Sequence, residues 1–219
     1  MESLQYLREI LNPEIIKDVN TSLVTNTFIT LKENNPDAKN KEICLYLPDY
    51  SIVFSLDQSK LPKKSLYLHP SNRLLHGGCD YVVFCYYKEM YWFIMIELKS
   101  FNPKGIKEQF FSSSAFIRYL RELIYLRDGL PLRYGLVSLE FSRSRTVQKQ
   151  TTHNTLPHRT LFHDGAWYYK IINHKTFSLK SLLDQEHNKK SEDQGIDLFC
   201  FNRHSTFGQD LTVHATAQH

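Results

Sequence analysis

A chain of 219 residues suits one ordinary domain, since a core of this size buries roughly 70% of the surface its unfolded chain exposes; two full domains are not expected. Hydrophobic residues at 42% and aromatics at 13% exclude a disordered chain, because burying them offsets the entropy of ordering it. The formal charge of +4 is mild and selects no partner by itself, and no run approaches the roughly 18 apolar residues a membrane-spanning helix needs.

The start MESLQYLREIL has no basic stretch ahead of an apolar one, so a secretory leader is not expected. Cys44, Cys79, Cys85 and Cys200 are too scattered for a disulfide framework or a CxxC pair, and reduced thiols in a cytoplasm are the expectation. Leu4, Leu7 and Leu11 recur at helical spacing, and Asn12-Pro13 ends that helix and caps a second one over Glu14 to Val19. Apolar, β-rich runs at Ile43 to Leu47 and Ser51 to Leu56 flank Pro48-Asp49-Tyr50, which predicts a hairpin. From Gln58 to Gly78 the prolines, basic residues and Gly77-Gly78 pair predict an irregular exposed loop.

Tyr81 to Tyr87 and Tyr91 to Leu98 are continuous apolar runs separated by Lys88, Glu89 and Met90, the pattern of central strands buried on both faces. Asn102-Pro103 offers an N-cap and first-turn proline to a helix whose apolar face is Ile106, Phe110, Ile117, Leu120 and Ile124; Gly129 and Pro131 stop it. Tyr134 to Phe141 reads as a further strand, Leu161 to Ile172 as a hairpin turning at Asp164-Gly165, and Ser178 to Asp184 as a short helix. The order predicts a mixed α/β sandwich around one sheet, with a domain over 1–185 and an extension over 186–219.

Glu97 and Lys99 stand where this pattern predicts the exit of a buried strand, and a charge there is costly unless it is paired or holds a metal. Residues two apart on a strand share a face, so Glu97 and Lys99 project together while Leu98 points to the opposite layer. If the turn is centred between Lys88 and Glu89, opposed residues have numbers summing to 177 and Asp80 faces Glu97, with Lys99 across from Gly78. A three-residue loop would shift the sum to 178 and send Asp80 to the other face.

Two carboxylates so placed repel each other, and a divalent cation between them is one remedy. Hard oxygen ligands suit Mg²⁺, with Mn²⁺ as a substitute, and the Leu98 carbonyl between the charged side chains is a further candidate ligand. Lys99 would orient an attacking water or neutralise charge developing on phosphorus. Gln109, Lys104 and Lys107 open the next helix, whose positive N-terminal dipole favours phosphate. Residues 101–150 carry nine Lys/Arg against four Asp/Glu, a local net of +5 that by itself reads as a solvated face and, beside such a site, becomes the natural surface for a nucleic-acid backbone.

Asp80, a sixteen-residue gap and then Glu97-Leu98-Lys99 at a strand end before a helix resembles the PD-(D/E)XK nuclease superfamily over about residues 76–141. The resemblance implies a restriction endonuclease-like αβββαβ core and Mg²⁺-dependent cleavage of DNA, with Asp80 and Glu97 as metal ligands and Lys99 as the catalytic lysine. Gln109 stands where some members carry a helix glutamine, but Ser113 replaces the tyrosine of the RecB-type pattern, and Cys79 replaces the leading proline. The resemblance also implies an acidic residue from the first helix, for which Glu9 and Glu14 both qualify.

His69, His76 and Cys79 lack a fourth zinc ligand at a familiar spacing. No GxSxG, GxxxxGK[ST] or GxGxxG motif is present, so serine hydrolysis, NTP hydrolysis and dinucleotide chemistry have no support. The expectation is a nuclease, DNA over RNA, working beside an ATPase or other targeting subunit in prokaryotic defence or repair, with no membrane partner and with oligomerisation left open. Its rivals are an inactive nucleic-acid-binding or scaffold subunit of the same fold, and a ribonuclease.

Overall fold

The computed structural model describes residues 2–21, 27–32, 42–56, 77–99, 105–129, 132, 134–142, 159–161, 166–172 and 174–192. The helical spacing of Leu4 and Leu7 produces α1 (Glu2–Ile10), whose buried face carries both. Short strands β1 (Ile16–Lys17) and β2 (Asn20–Thr21) follow, then β3 (Thr27–Lys32), β4 (Glu42–Leu47), β5 (Ser51–Phe54), β6 (Tyr81–Tyr87) and β7 (Met90–Lys99). Helix α2 (Ile106–Asp128), strands β8 (Tyr134–Ser142), β9 (Arg159–Leu161), β10 (Trp167–Ile172) and β11 (Thr176–Ser178), and α3 (Leu179–Glu192) complete the order.

The protein is mixed α/β, with a multi-strand mixed sheet and three α-helices among the described residues. Seven strands form the larger sheet in the order β1-β5-β6-β7-β8-β10-β9, and four form a second sheet in the order β11-β4-β3-β2. Strands β5, β6 and β7 run antiparallel to one another, whereas β8 joins β7 in parallel after the α2 crossover and β10 joins β8 in parallel.

Alternation along the strands divides the core into two layers. On one side of the large sheet, Val83, Cys85, Trp92, Ile94, Ile96, Leu98, Val137, Leu139 and Tyr169 pack with the second sheet and with Leu179, Leu182 and Leu183 of α3. On the other side, Ile52, Phe54, Val82, Phe84, Phe93 and Met95 pack with Leu4 and Leu7 of α1 and Phe110, Ile117 and Leu120 of α2. β6 and β7 are thus buried on both faces along most of their length, as their unbroken apolar runs predict.

Lys88 and Glu89 alone make the β6–β7 turn, both at positive φ, 48° and 60°. That is the two-residue hairpin geometry whose twist matches the flanking strands. The paired numbers sum to 177 along the ladder, from Tyr87↔Met90 to Tyr81↔Ile96.

Three expectations need correction. The strands form two sheets, not the single one expected, because β4 and β3 pair with each other and with β11 and β2 instead of joining the large sheet. Strands form on both sides of Pro48-Asp49-Tyr50, but they make no hairpin: β4 pairs with β3 and β11 in the small sheet, while β5 pairs with β1 and β6 in the large one. The chain turns a corner there, with Ser51 Oγ donating to the Pro48 carbonyl at 2.7 Å and Tyr86 N–H to that of Tyr50 at 3.1 Å. The helix expected over Glu14 to Val19 is instead a single 3-10 turn, Pro13–Ile15, leading into β1. Asn12 Oδ1 caps Glu14 N–H at 3.0 Å, but the β-branched Ile16 then adds to the edge of β5 opposite Phe54.

Helix α2 buries all five of its predicted apolar positions, and its described part starts after Gly105 at φ 81°. Asn102 and Pro103 lie outside the described residues, as do the loop over 57–76 and the turn at Asp164-Gly165. Gly129 ends α2 at φ 66°, its N–H donating to the Tyr125 carbonyl at 2.9 Å. β9 and β10 pair antiparallel, as the predicted hairpin requires. Helix α3 continues past the boundary expected after 185 and buries Glu186 completely; residues 193–219 lie outside the described residues.

Candidate active site

The turn register decides which side chains meet. Asp80 immediately precedes β6, and the sum of 177 sets it opposite Glu97 on the helix-facing side of the sheet, where Val82 and Met95 also point. The two are joined beyond the ladder by crossed bonds. Asp80 N–H donates to Glu97 Oε2 at 3.1 Å, and Leu98 N–H donates to Asp80 Oδ2 at 2.6 Å. Each carboxylate is thereby held by the main chain of the other strand.

Glu97 is fully buried, and its Oε1 forms an ion pair with Lys99 Nζ, whose side chain is 22% exposed. The ammonium compensates a charge that would otherwise be costly in this layer. The Leu98 side chain packs on the opposite face. Since the N–H and C=O of an extended residue leave the same side, its carbonyl follows its N–H toward the Asp80 segment.

Helix α2 is tied to the same segment. Ser113 Oγ accepts the Cys79 N–H at 2.8 Å and donates to the Gln109 carbonyl at 2.8 Å, while Gln109 Nε2 donates to the Gly78 carbonyl at 3.4 Å. Gln109 Oε1 is buried with no hydrogen bond among the described residues. Ser113, which departs from the RecB-type tyrosine, therefore has its own task of fixing the chain just ahead of Asp80. The fully buried Cys79 is no candidate nucleophile: burial pushes its thiol up to about 12, and the thiol donates to the Tyr81 carbonyl at 3.2 Å.

Asp80, Glu97, Lys99, the Leu98 main chain and Gln109 thus converge around the start of β6. Lys107 lies exposed in the first turn of α2, and Lys104, His69 and His76 lie outside the described residues. Glu9 is exposed on α1 and accepts from Gln5 Nε2 at 3.2 Å; Glu14 is exposed in the turn that follows, so neither is buried against the acidic pair. Among the described residues no three His, Cys, Asp or Glu side chains form a ready-made metal cluster.

One residue was missed. Glu140 of β8 is 2% exposed and stands directly opposite Glu97 in the parallel ladder, so the two carboxylates share a face on adjacent strands. Its Oε2 accepts a hydrogen bond from Tyr168 Oη, and its Oε1 lies 3.0 Å from Lys170 Nζ. Burial, then the hydrogen bond and charge of Glu140, pushes the Tyr168 phenol up, so it stays a donor. The signal that singles out Glu97, an acid inside an apolar strand run, was present for Glu140 as well.

Compared with known proteins, the chain matches no family model, no curated protein and no solved structure.

Proposed function

We propose that this chain is a Mg²⁺-dependent nuclease, a DNA endonuclease of the PD-(D/E)XK kind. The observation that carries the reading is the crossed pair of bonds between Asp80 and Glu97 with Lys99 on the same carboxylate. Helix α1, the antiparallel strands β5, β6 and β7, helix α2 and the parallel strand β8 support a restriction endonuclease-like αβββαβ core.

The donor set suits Mg²⁺, which commonly binds through one or two carboxylates, with waters and substrate phosphate completing its shell. Asp80 and Glu97 would hold it, with the Leu98 carbonyl as a third oxygen and Gln109 Oε1, which has no hydrogen bond among the described residues, as a further polar group. When bound, the cation would polarise a phosphoryl oxygen and lower the pKa of the attacking water. The residues supply the rest. The crossed bonds fix both carboxylates before substrate arrives, so little reorganisation is needed at reaction. Lys99 Nζ, beside Glu97, stabilises negative charge developing on the phosphoryl oxygens. The N-terminal turn of α2, capped by no side chain from Gly105, points its dipole toward the same region and carries Lys107 for the substrate backbone.

The chain is proposed to act in the cytoplasm beside a targeting subunit such as an ATPase, as part of prokaryotic defence or repair. No helix among the described residues is long and apolar enough to cross a membrane. Incubation with plasmid, single-stranded DNA and RNA in Mg²⁺, Mn²⁺ or EDTA tests the reading. Metal-dependent nicking of DNA that is lost on Lys99→Ala supports it. Cleavage that survives EDTA or Lys99→Ala overturns the mechanism, cleavage of RNA alone changes the substrate, and binding without cleavage under any cation leaves a binding subunit.

A further inference from the structure

The helix-facing side of the sheet carries a second acid–ammonium pair that the chemistry above does not use. One row of partners runs across it: Glu97 is opposite Glu140, and Glu140 is opposite Lys170. Strands lie about 4.8 Å apart, so the Lys170 backbone is about 10 Å from that of Glu97. The row belongs to β7, β8 and β10, three mutually parallel strands, near the carboxyl ends where open α/β sheets bind ligands.

The two members of the pair differ in what they offer. Glu140 is buried, with Oε2 taken by Tyr168 Oη and Oε1 by Lys170 Nζ. The Lys170 side chain is 44% exposed, so the ammonium is the group this cluster presents to solvent. A buried carboxylate hydrogen-bonded through one oxygen and ion-paired through the other makes a fixed seat for a cation, and a lysine ammonium is a compact point charge suited to phosphate.

We propose that Lys170 is a second backbone-phosphate contact for nucleic acid, seated by Glu140 and Tyr168 on the row of Asp80 and Glu97. The inference rests on the nucleic-acid reading above. It assigns β10, outside the αβββαβ core, a part in holding the strand to be cut.

Salt-dependent binding tests it without cleavage. The full-length protein is titrated into a fluorescently labelled DNA duplex in EDTA across a salt series. Two variants are compared after thermal melts show both folded: Glu140→Gln, which keeps the ammonium, and Glu140→Gln/Lys170→Met, which leaves no buried charge unpaired. The slope of log Kobs against log salt is expected to be shallower by about 0.9 in the double variant, the loss of one phosphate contact. Lys170→Arg alone is expected to keep the wild-type slope. Equal slopes in the two variants, or a lost contact in Lys170→Arg, overturn the inference even if the protein cuts DNA. A reduced slope in a protein that never cuts supports the Lys170 contact and sinks the nuclease reading alone, and no DNA binding by the wild type overturns both.

Discussion

Glu97 carries a strong local constraint, because a fully buried carboxylate has to be answered by its surroundings. It is answered twice, by the Asp80 N–H and by Lys99. Glu97→Gln retains an oxygen acceptor for Asp80 and gives up the charge, so it is expected to stay folded, by circular dichroism and thermal melting, while plasmid cleavage falls at least about 100-fold. Unchanged cleavage would remove Glu97 from the mechanism. Cys79 makes a separate prediction at this scale. Burial raises its thiol to about 12, and Cys85 is also pushed up by burial, so both are expected to resist iodoacetamide at pH 8 until the protein is denatured. Peptide mass spectrometry reads this residue by residue, and labelling of Cys79 in the native protein would contradict the packing of the segment before β6.

The β6–β7 hairpin is the element that assembles the site, and its turn is built from residues that do not favour it. Lys88 and Glu89 both adopt the left-handed region, which costs a non-glycine residue roughly 1–2 kcal/mol. Glu89→Gly is therefore expected to stabilise the protein by about 0.5–1 kcal/mol after glycine's own entropy cost, raising Tm by a few degrees. Lys88 is left in place because its Nζ pairs with Asp184 at 2.5 Å. Farther along, Gly135 lies opposite Trp92, and an added Cβ would come within 2.5 Å of the indole ring. Gly135→Ala is expected to destabilise by about 1–3 kcal/mol, with a lower Tm and the bonds between Asp80 and Glu97 unchanged.

The strands of this hairpin were legible because two long apolar runs with one charged break admit few alternatives, and Asp80 against Glu97 followed from the turn's centre. The β4–β5 connection was not legible. Local sequence shows two strands and a turn, whereas their partners, β3 and β6, are set by packing of distant residues. Local pattern does not reveal β3, and at β1 the N-cap signal of Asn12 points to helix and outweighs a short β-branched run. Glu140 stands out in the sequence as an acid in an apolar run, but its place beside Glu97 depends on the parallel β7–β8 register, which no turn fixes.

Across the whole molecule, the large sheet separates the candidate site from α3 and the small sheet. The α3 layer is fastened to the hairpin turn through Asp184, which takes Tyr87 Oη at 3.0 Å as well as Lys88. Lys88, followed by Tyr87, holds the Asp184 carboxyl below its ordinary range. A depressed carboxylate pKa contributes stability above the unfolded-state value, about 3.9, and that contribution is lost as pH falls through the folded-state value. Wild type is thus expected to lose Tm more steeply than Asp184→Asn below about pH 4. The difference should stay under about 1 kcal/mol because the pair is solvent-screened. Parallel curves for the two proteins would show that this tie adds nothing to the docking of α3.

The proposed nuclease chemistry requires Asp80 and Glu97 to hold one divalent cation between them. Calorimetric titration of Mn²⁺ into wild type, Asp80→Asn and Glu97→Gln tests it most directly. One-site uptake by the wild type, abolished in both variants, is the predicted result; the same heat in all three proteins, or none in the wild type, would contradict it.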